Sequence, residues 1–273
     1  MDRQNAGDLA AARHTLREAY DASRPRSSSR AAAALRLSLL AIDAGDSDGA
    51  RSMAEEALDF YAAPGAQPRS DLHWNDDIGA GYAHVVIGRT QLRQGDTTRG
   101  LRHLDRAAER FAHAGDRLAI ADALNYRAGA LLSLGRVDEA EVPFRQALAH
   151  YEALGAWSAV LVRVNLAVLA IDAGRVDEAR APLEAALRQL DTEGRHAFAA
   201  AVRVFLLPCF LAAEEQGRFE QAATHAQSAL DQSGFVDPDL LRVAERSLRG
   251  ATARGWSTSD LQDLVEAQQR GLG

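Results

Sequence analysis

With 273 residues, the chain lies at the upper limit of a single hydrophobic core, a limit that does not bind a repeat architecture in which each unit packs only on its neighbours. Hydrophobic residues make up 47% but aromatics only 6%, so the apolar content is mostly Ala and Leu, which favours closely packed helices over a β-sandwich. All 31 basic residues are Arg, which excludes a phosphate-loop, Schiff-base or general-base lysine, and the net charge of -7 argues against nucleic acid or an anionic membrane as the main partner.

Cys209 is the only cysteine, so no internal disulfide is possible. Met1-Asp2-Arg3-Gln4 has no apolar run behind it, and the longest apolar stretch, Val204 to Ala213, contains Pro208 and is about half a membrane span. A cytoplasmic protein is the expectation. The absence of Lys reads as the codon bias of a GC-rich bacterial genome.

Self-similarity sets the register. The hexapeptide Gly135-Arg136-Val137-Asp138-Glu139-Ala140 recurs unchanged from Gly174, 39 residues on. Counted from the glycine, both copies carry apolar or small residues at offsets 5, 9, 12, 13 and 16, one stripe of a helix. Upstream of each glycine lies a second helical pattern, for example Ile120, Leu124, Ala128 and Leu131 before Gly135. Each unit therefore reads as helix, tight turn at Gly, helix.

In chain order, Gly7 opens a lone helix with the stripe Ala12, Leu16, Ala19 and Tyr20, Ser23 being a misfit, giving a half repeat over 5–23. Gly45 (Ala50, Ala54, Ala57, Leu58, Tyr61) centres a repeat over 27–62, and the Pro- and Gly-rich stretch Ala62 to Asp71 reads as a surface loop. Gly95 (Gly100, Leu104, Ala107, Ala108, Phe111) centres 71–114. Gly135 (Ala140, Phe144, Ala147, Leu148, Tyr151) centres 116–154, and Gly174 (Ala179, Leu183, Ala186, Leu187, Leu190) centres 156–192. Gly217 (Ala222, Ala226, Ala229, Leu230) is placed in 195–232, and a weaker copy at Gly255 (Leu264, Ala267) in a capping pair over 237–270. The pattern predicts thirteen helices, six pairs preceded by a lone one. Pro143 and Pro182, each eight residues past its glycine, should bend their helices alike.

Glycine ends each first helix in a left-handed conformation, Asp or Ser just after it can cap the second, and Ala at offsets 5 and 12 lets the two helices approach closely. Gly followed by Ala five and twelve residues later, with Leu or an aromatic between, resembles the tetratricopeptide repeat. The spacings of 38, 50, 40, 39 and 43 residues exceed the usual period, and segments such as Phe111-Ala112-His113-Ala114-Gly115-Asp116 and Tyr151 to Gly155 are similar to the long repeats of maltose-activator-class bacterial regulators and of kinesin light chains.

The resemblance implies a right-handed α-solenoid of antiparallel helix pairs over 1–273. It also implies that the first helix of each repeat lines a concave groove, with the residues 13, 10, 9, 6, 3 and 2 before the glycine pointing into it. These are Tyr82, Val85, Val86, Arg89, Leu92 and Arg93, then Asp122, Asn125, Tyr126, Gly129, Leu132 and Ser133, then Leu161, Val164, Asn165, Val168, Ile171 and Asp172. Tyr82, Val85, Arg89, Arg93, Asn125, Tyr126, Val164, Asn165 and Val168 form the candidate peptide-binding set. The family's carboxylate-clamping Lys is missing, and Arg36, Arg89 and Arg93 are partial stand-ins. The groove should be basic toward Arg36, Arg89 and Arg93, with Asp43 interrupting, and acidic toward Asp172, Glu214 and Glu215.

No motif carries catalysis. The eight His residues show no His-Glu-x-x-His, Cys209 lacks a cysteine partner, and Gly79-Ala80-Gly81 with Gly88 lacks dinucleotide-binding spacing, so close helix packing is its reading. Asp76-Asp77 and Glu214-Glu215 read as solvated helix ends. The expectation is a non-catalytic scaffold without cofactor or metal that binds a protein or peptide, the alternative being the sensing module of a larger bacterial signalling or transcriptional regulator. The lone first helix should leave an open end, closed by a second copy, an upstream domain or a partner, or else created by truncation of a longer regulator.

Overall fold

The computed structural model describes residues 3–63, 76–233 and 238–272. Among these residues the chain is all helical: α1 (Arg3–Ala22), α2 (Ser28–Asp43), α3 (Ser47–Tyr61), α4 (Asp76–Arg93), α5 (Thr97–Ala114), α6 (Arg117–Ser133), α7 (Val137–Ala153), α8 (Ser158–Asp172), α9 (Val176–Thr192), α10 (His196–Ala212), α11 (Gln216–Ser233), α12 (Pro238–Ala253) and α13 (Ser259–Leu272). The thirteen helices follow the predicted order. Most of the expected loop at 62–71 lies outside the described residues. No described helix is long and apolar enough to cross a membrane.

The chain forms two compact units, divided between Ala156 and Trp157. In the first, α2 packs on α3, α4 on α5 and α6 on α7; α3 then meets α4, α5 meets α6, and α1 lies on α2. In the second, α8 packs on α9, α10 on α11 and α12 on α13, while α10 also touches α8, α9 and α12. Each unit is thus a succession of antiparallel helix pairs in which neighbouring pairs share a core.

The repeat register reappears as burial. At offsets 5, 9, 12 and 16 from Gly45, Gly95, Gly135 and Gly174 every residue is buried, from Ala50, Ala54, Ala57 and Tyr61 to Ala179, Leu183, Ala186 and Leu190, whereas offset 13 is half-buried throughout. Each turn closes in the same way. The glycine takes a positive φ, 69° at Gly135, and the next backbone N–H returns to the carbonyl five residues back, as Arg136 does to Leu131 at 2.9 Å. Asp46 and Asp96 then cap α3 and α5 through their side chains, whereas Arg136 and Arg175 make no such bond and pair with Glu139 and Glu178.

Three expectations are corrected. Gly7 is no turn residue: α1 begins at Arg3 and runs through it, and of the expected stripe Leu16 and Tyr20 are half-buried while Ala12 and Ala19 are exposed. Before α11 the turn residue is Glu214, at φ 56°, and Gly217 lies inside the helix. Counted from Glu214, the offsets give Phe219, Ala223, Ala226 and Leu230, all buried. In α13 the buried stripe is Leu261, Leu264, Val265 and Gln268, with Ala267 only half-buried.

Glycine also permits close helix contact. A Cβ on Gly79 would meet the Tyr61 ring at 2.6 Å, and one on Gly81 the Phe111 ring at 2.4 Å, so both fill packing roles as the sequence suggested. Gly88 of α4 and Gly100 of α5 face each other: a Cβ on either would lie 3.0 Å from the other's carbonyl oxygen.

Candidate interaction face

In the first unit the candidate residues come from α4 and α6, which touch at a few positions. Tyr82 and Arg89 are seven residues apart and share a helix face. The Tyr82 ring meets Phe111 edge-on at 5.0 Å. Burial, together with the nearby carboxylates of Asp122 and Asp116, pushes its phenol up to about 12, so it stays a neutral hydroxyl. Asp122 itself is raised by burial, against the opposing effect of the Tyr151 hydroxyl, which donates to it at 2.6 Å.

The Arg89 guanidinium lies over the Tyr126 ring, 4.7 Å from its centroid, joining α4 to α6 by a cation–π contact. Tyr126 remains 37% exposed, one of the few large apolar side chains left at the surface. Beside it in sequence, the Asn125 Oδ1 is shielded from solvent and has no hydrogen-bond partner among the described residues. Such an orphan costs roughly 1–3 kcal/mol until a donor reaches it.

The other candidates are placed differently. Arg93 Nη1 donates to the Ile42 carbonyl at 2.6 Å, satisfying the end of α2. Val85 is buried in a cluster with Leu104 and Phe111, and in the second unit Val164 and Val168 are buried in the main core. Val85 thus lies in the core of the first unit and Val164 and Val168 in that of the second, and none of the three offers surface to a partner. Asn165 is half-buried. The structure therefore gathers Tyr82, Arg89, Asn125 and Tyr126 at one surface of the first unit.

Two of the three acidic groups expected at the far end of the groove, Asp172 and Glu215, are already paired within the second unit. Asp172 of α8 accepts two bonds from Arg242 of α12, at 2.5 and 2.8 Å, with Arg246 at 3.6 Å. Glu215 is held by Arg180 at 2.9 Å and Arg218 at 3.1 Å. The Asp43 side chain lies outside the described residues. Cys209 is buried, its Sγ 3.7 Å from the Val176 carbonyl, and burial pushes the thiol up to about 11, which keeps it protonated and unreactive. Among the described residues no group of three or more His, Cys, Asp or Glu is arranged to hold a metal ion.

Sequence reasoning missed one polar contact altogether. His84 and His103 meet across the α4/α5 contact, Nδ1 to Nδ1 at 2.9 Å. Nineteen residues apart, they form no motif, and only the superposition of the Gly88 and Gly100 surfaces could have brought them together.

Residues 81–153 match the family model described as tetratricopeptide repeat. No curated protein matches the chain. Among solved structures, the chain is similar to the apo form of RapI (TM-score 0.70, 10% identity, covering 98% of this chain and 92% of that one). It is also similar to a Rap protein complexed with Competence and Sporulation Factor (TM-score 0.65, 14% identity, 97% and 68%). A third likeness is to a signal transduction ATPase with numerous domains from Pyrococcus horikoshii, which carries a tetratricopeptide repeat sensor (TM-score 0.68, 12% identity, 98% of this chain and 40% of that one). The fold is thus of the tetratricopeptide repeat type, with its clearest sequence signature in α4 to α7.

Proposed function

We propose that the chain is a non-catalytic, cytoplasmic interaction module whose α4/α6 face binds a peptide or helical segment of a partner protein. The observation that carries this reading is the Arg89–Tyr126 stack, which joins α4 to α6 and leaves the Tyr126 ring 37% exposed. The stack offers a cation and an aromatic face, the residue types that anchor protein interfaces. One similar structure, the Rap protein complexed with Competence and Sporulation Factor, is of the same fold with a factor bound. Pull-down from the native host with wild type, Arg89→Ala and Tyr126→Ala tests it: a partner retained by wild type and lost by both variants supports the face, and partners indifferent to both overturn it.

A second reading, the sensing module of a larger bacterial regulator, is favoured by the Pyrococcus likeness, where a tetratricopeptide repeat sensor is part of a longer signalling chain. The long repeats, similar to those of maltose-activator-class regulators, support it too. A coding sequence joined in frame to an ATPase, kinase or DNA-binding domain would select this reading over an autonomous scaffold.

A further inference from the structure

α5 carries four Arg and only two carboxylates, in a chain of net charge -7. Arg99, Arg102 and Arg106 recur at intervals of three and four residues and so share one face. With His103 they line a cavity of 170 Å³ to which no acidic side chain contributes. The nearby carboxylates are engaged elsewhere: Asp105 accepts from Arg127 at 2.7 Å and Asp77 from Arg110 at 2.9 Å. Asp96 reaches Arg99 at 3.4 Å, but its other oxygen caps α5 through the Arg99 N–H.

The donors of this cavity are largely unused. Among the described residues Arg102 bonds only through its Nε, to the Thr98 carbonyl at 3.3 Å, which orients the side chain and leaves its two terminal nitrogens for the cavity. Arg106 makes no hydrogen bond or ion pair with any described residue, yet its charge, after burial, lowers the pKa of His103. His103 in turn is oriented from behind, since its Nδ1 is taken by His84 and its Nε2 is the ring nitrogen left for the cavity. Either ring can donate across this contact; when His84 donates to His103 Nδ1, the His103 proton sits on Nε2 and a fourth donor is available.

We propose that Arg99, Arg102, Arg106 and His103 form a binding site for a phosphoryl group. Three guanidinium groups and an imidazole N–H supply more positive charge and more donors than a single carboxylate can use, and they match a tetrahedral dianion whose oxygens accept from several directions. The same chemistry is presented by free phosphate and by a phosphorylated side chain of a partner protein, and the site is separate from the α4/α6 face.

Calorimetric titration with inorganic phosphate, with a phosphoserine peptide and with its Asp-substituted counterpart tests the site. Phosphate or the phosphopeptide should bind one per chain, at least five-fold more weakly in Arg102→Ala and in Arg106→Ala, and unchanged in Arg145→Ala, an exposed Arg of α7 paired with Glu141. Nitrogen-15 spectra of the imidazoles should show the His103 Nε2–H resonance perturbed on saturation while His84 Nε2 changes little, a response that bulk charge would not produce. Binding of the phosphopeptide alone makes the source a protein, and binding of phosphate alone makes it the free anion. Binding of neither, equal affinity for the Asp peptide, or equal loss in Arg145→Ala overturns the proposal.

Discussion

The Tyr20 hydroxyl donates to Glu56 Oε2 at 2.5 Å, and the Arg30 guanidinium, which bonds the other carboxylate oxygen at 2.6 Å, lies 3.8 Å over the Tyr20 ring. This knot joins α1 to α2 and α3. Tyr20→Phe keeps the ring and the cation–π contact but removes the bond to the carboxylate, at a cost of about 1 kcal/mol for a partly exposed group. Amide hydrogen exchange in α1 should quicken in that variant while exchange in α4 to α7 stays as in wild type.

The histidine pair predicts a pH dependence. Burial, followed by His103, Arg106 and Arg110, lowers His84 to about 4, and burial with Arg106 and Arg102 lowers His103. Both rings are neutral in the fold, whereas the unfolded chain takes up protons near pH 6.5. Because the unfolded state binds more protons, stability is full above about pH 6.5 and falls as the pH drops toward 4. Urea midpoints measured from pH 7.5 to 5.5 should decline, and the decline should flatten in His84→Gln.

Two glycines within helices should respond in opposite directions to the same substitution. Gly100→Ala places a Cβ 2.6 Å from Leu92 Cγ and 3.0 Å from the Gly88 carbonyl, and overpacking of about 1–3 kcal/mol outweighs the gain of about 1 kcal/mol in helix propensity. Gly129 has nothing within 4 Å of an added Cβ, so Gly129→Ala should show the propensity gain alone. Denaturant titration of the two variants distinguishes a tight α4/α5 contact from a loose one.

Glu214 adopts the left-handed conformation that glycine takes at the corresponding turns, and its neighbour Glu215 makes the same return bond, to the Phe210 carbonyl at 2.9 Å. A side chain there costs roughly 1–2 kcal/mol, part of which returns to the unfolded chain when glycine is introduced. Glu214→Gly should therefore raise the melting temperature by a few degrees. A decrease would mean that the Glu214 side chain stabilises the turn.

The Gly135 and Gly174 copies made the fold readable, because a helix pair with a fixed turn repeats its buried offsets and one matched hexapeptide calibrates the rest. The register slipped where the turn lost its glycine. At Glu214 the backbone bonds persist without the residue that announces them, and Gly217 stood close enough to be mistaken for the origin. Gly7 misled for the opposite reason, a glycine inside a helix with no turn to make. Of the candidate face, Tyr82, Arg89, Asn125 and Tyr126 were named through the resemblance to the tetratricopeptide repeat, whereas Arg93 was diverted to the end of α2. The valines sank into the core because a one-residue change of angle separates the rim of a helix from its floor. The His84–His103 contact depends on which residues two helices bring level, a relation that neither helix carries in its own periodicity.

The Arg242–Asp172 pair links side chains seventy positions apart in the sequence and spans from α12 to α8, the two helices that flank α10. In mechanical terms it is a chord across an arc. Helices α8 and α12 cannot splay without breaking both of its bonds, so the bend of the second unit has a stop on its opening side, set by electrostatics and loosened by salt. A force or a ligand acting on α12 is then felt at α8 directly, without passing through the packed side chains of α10.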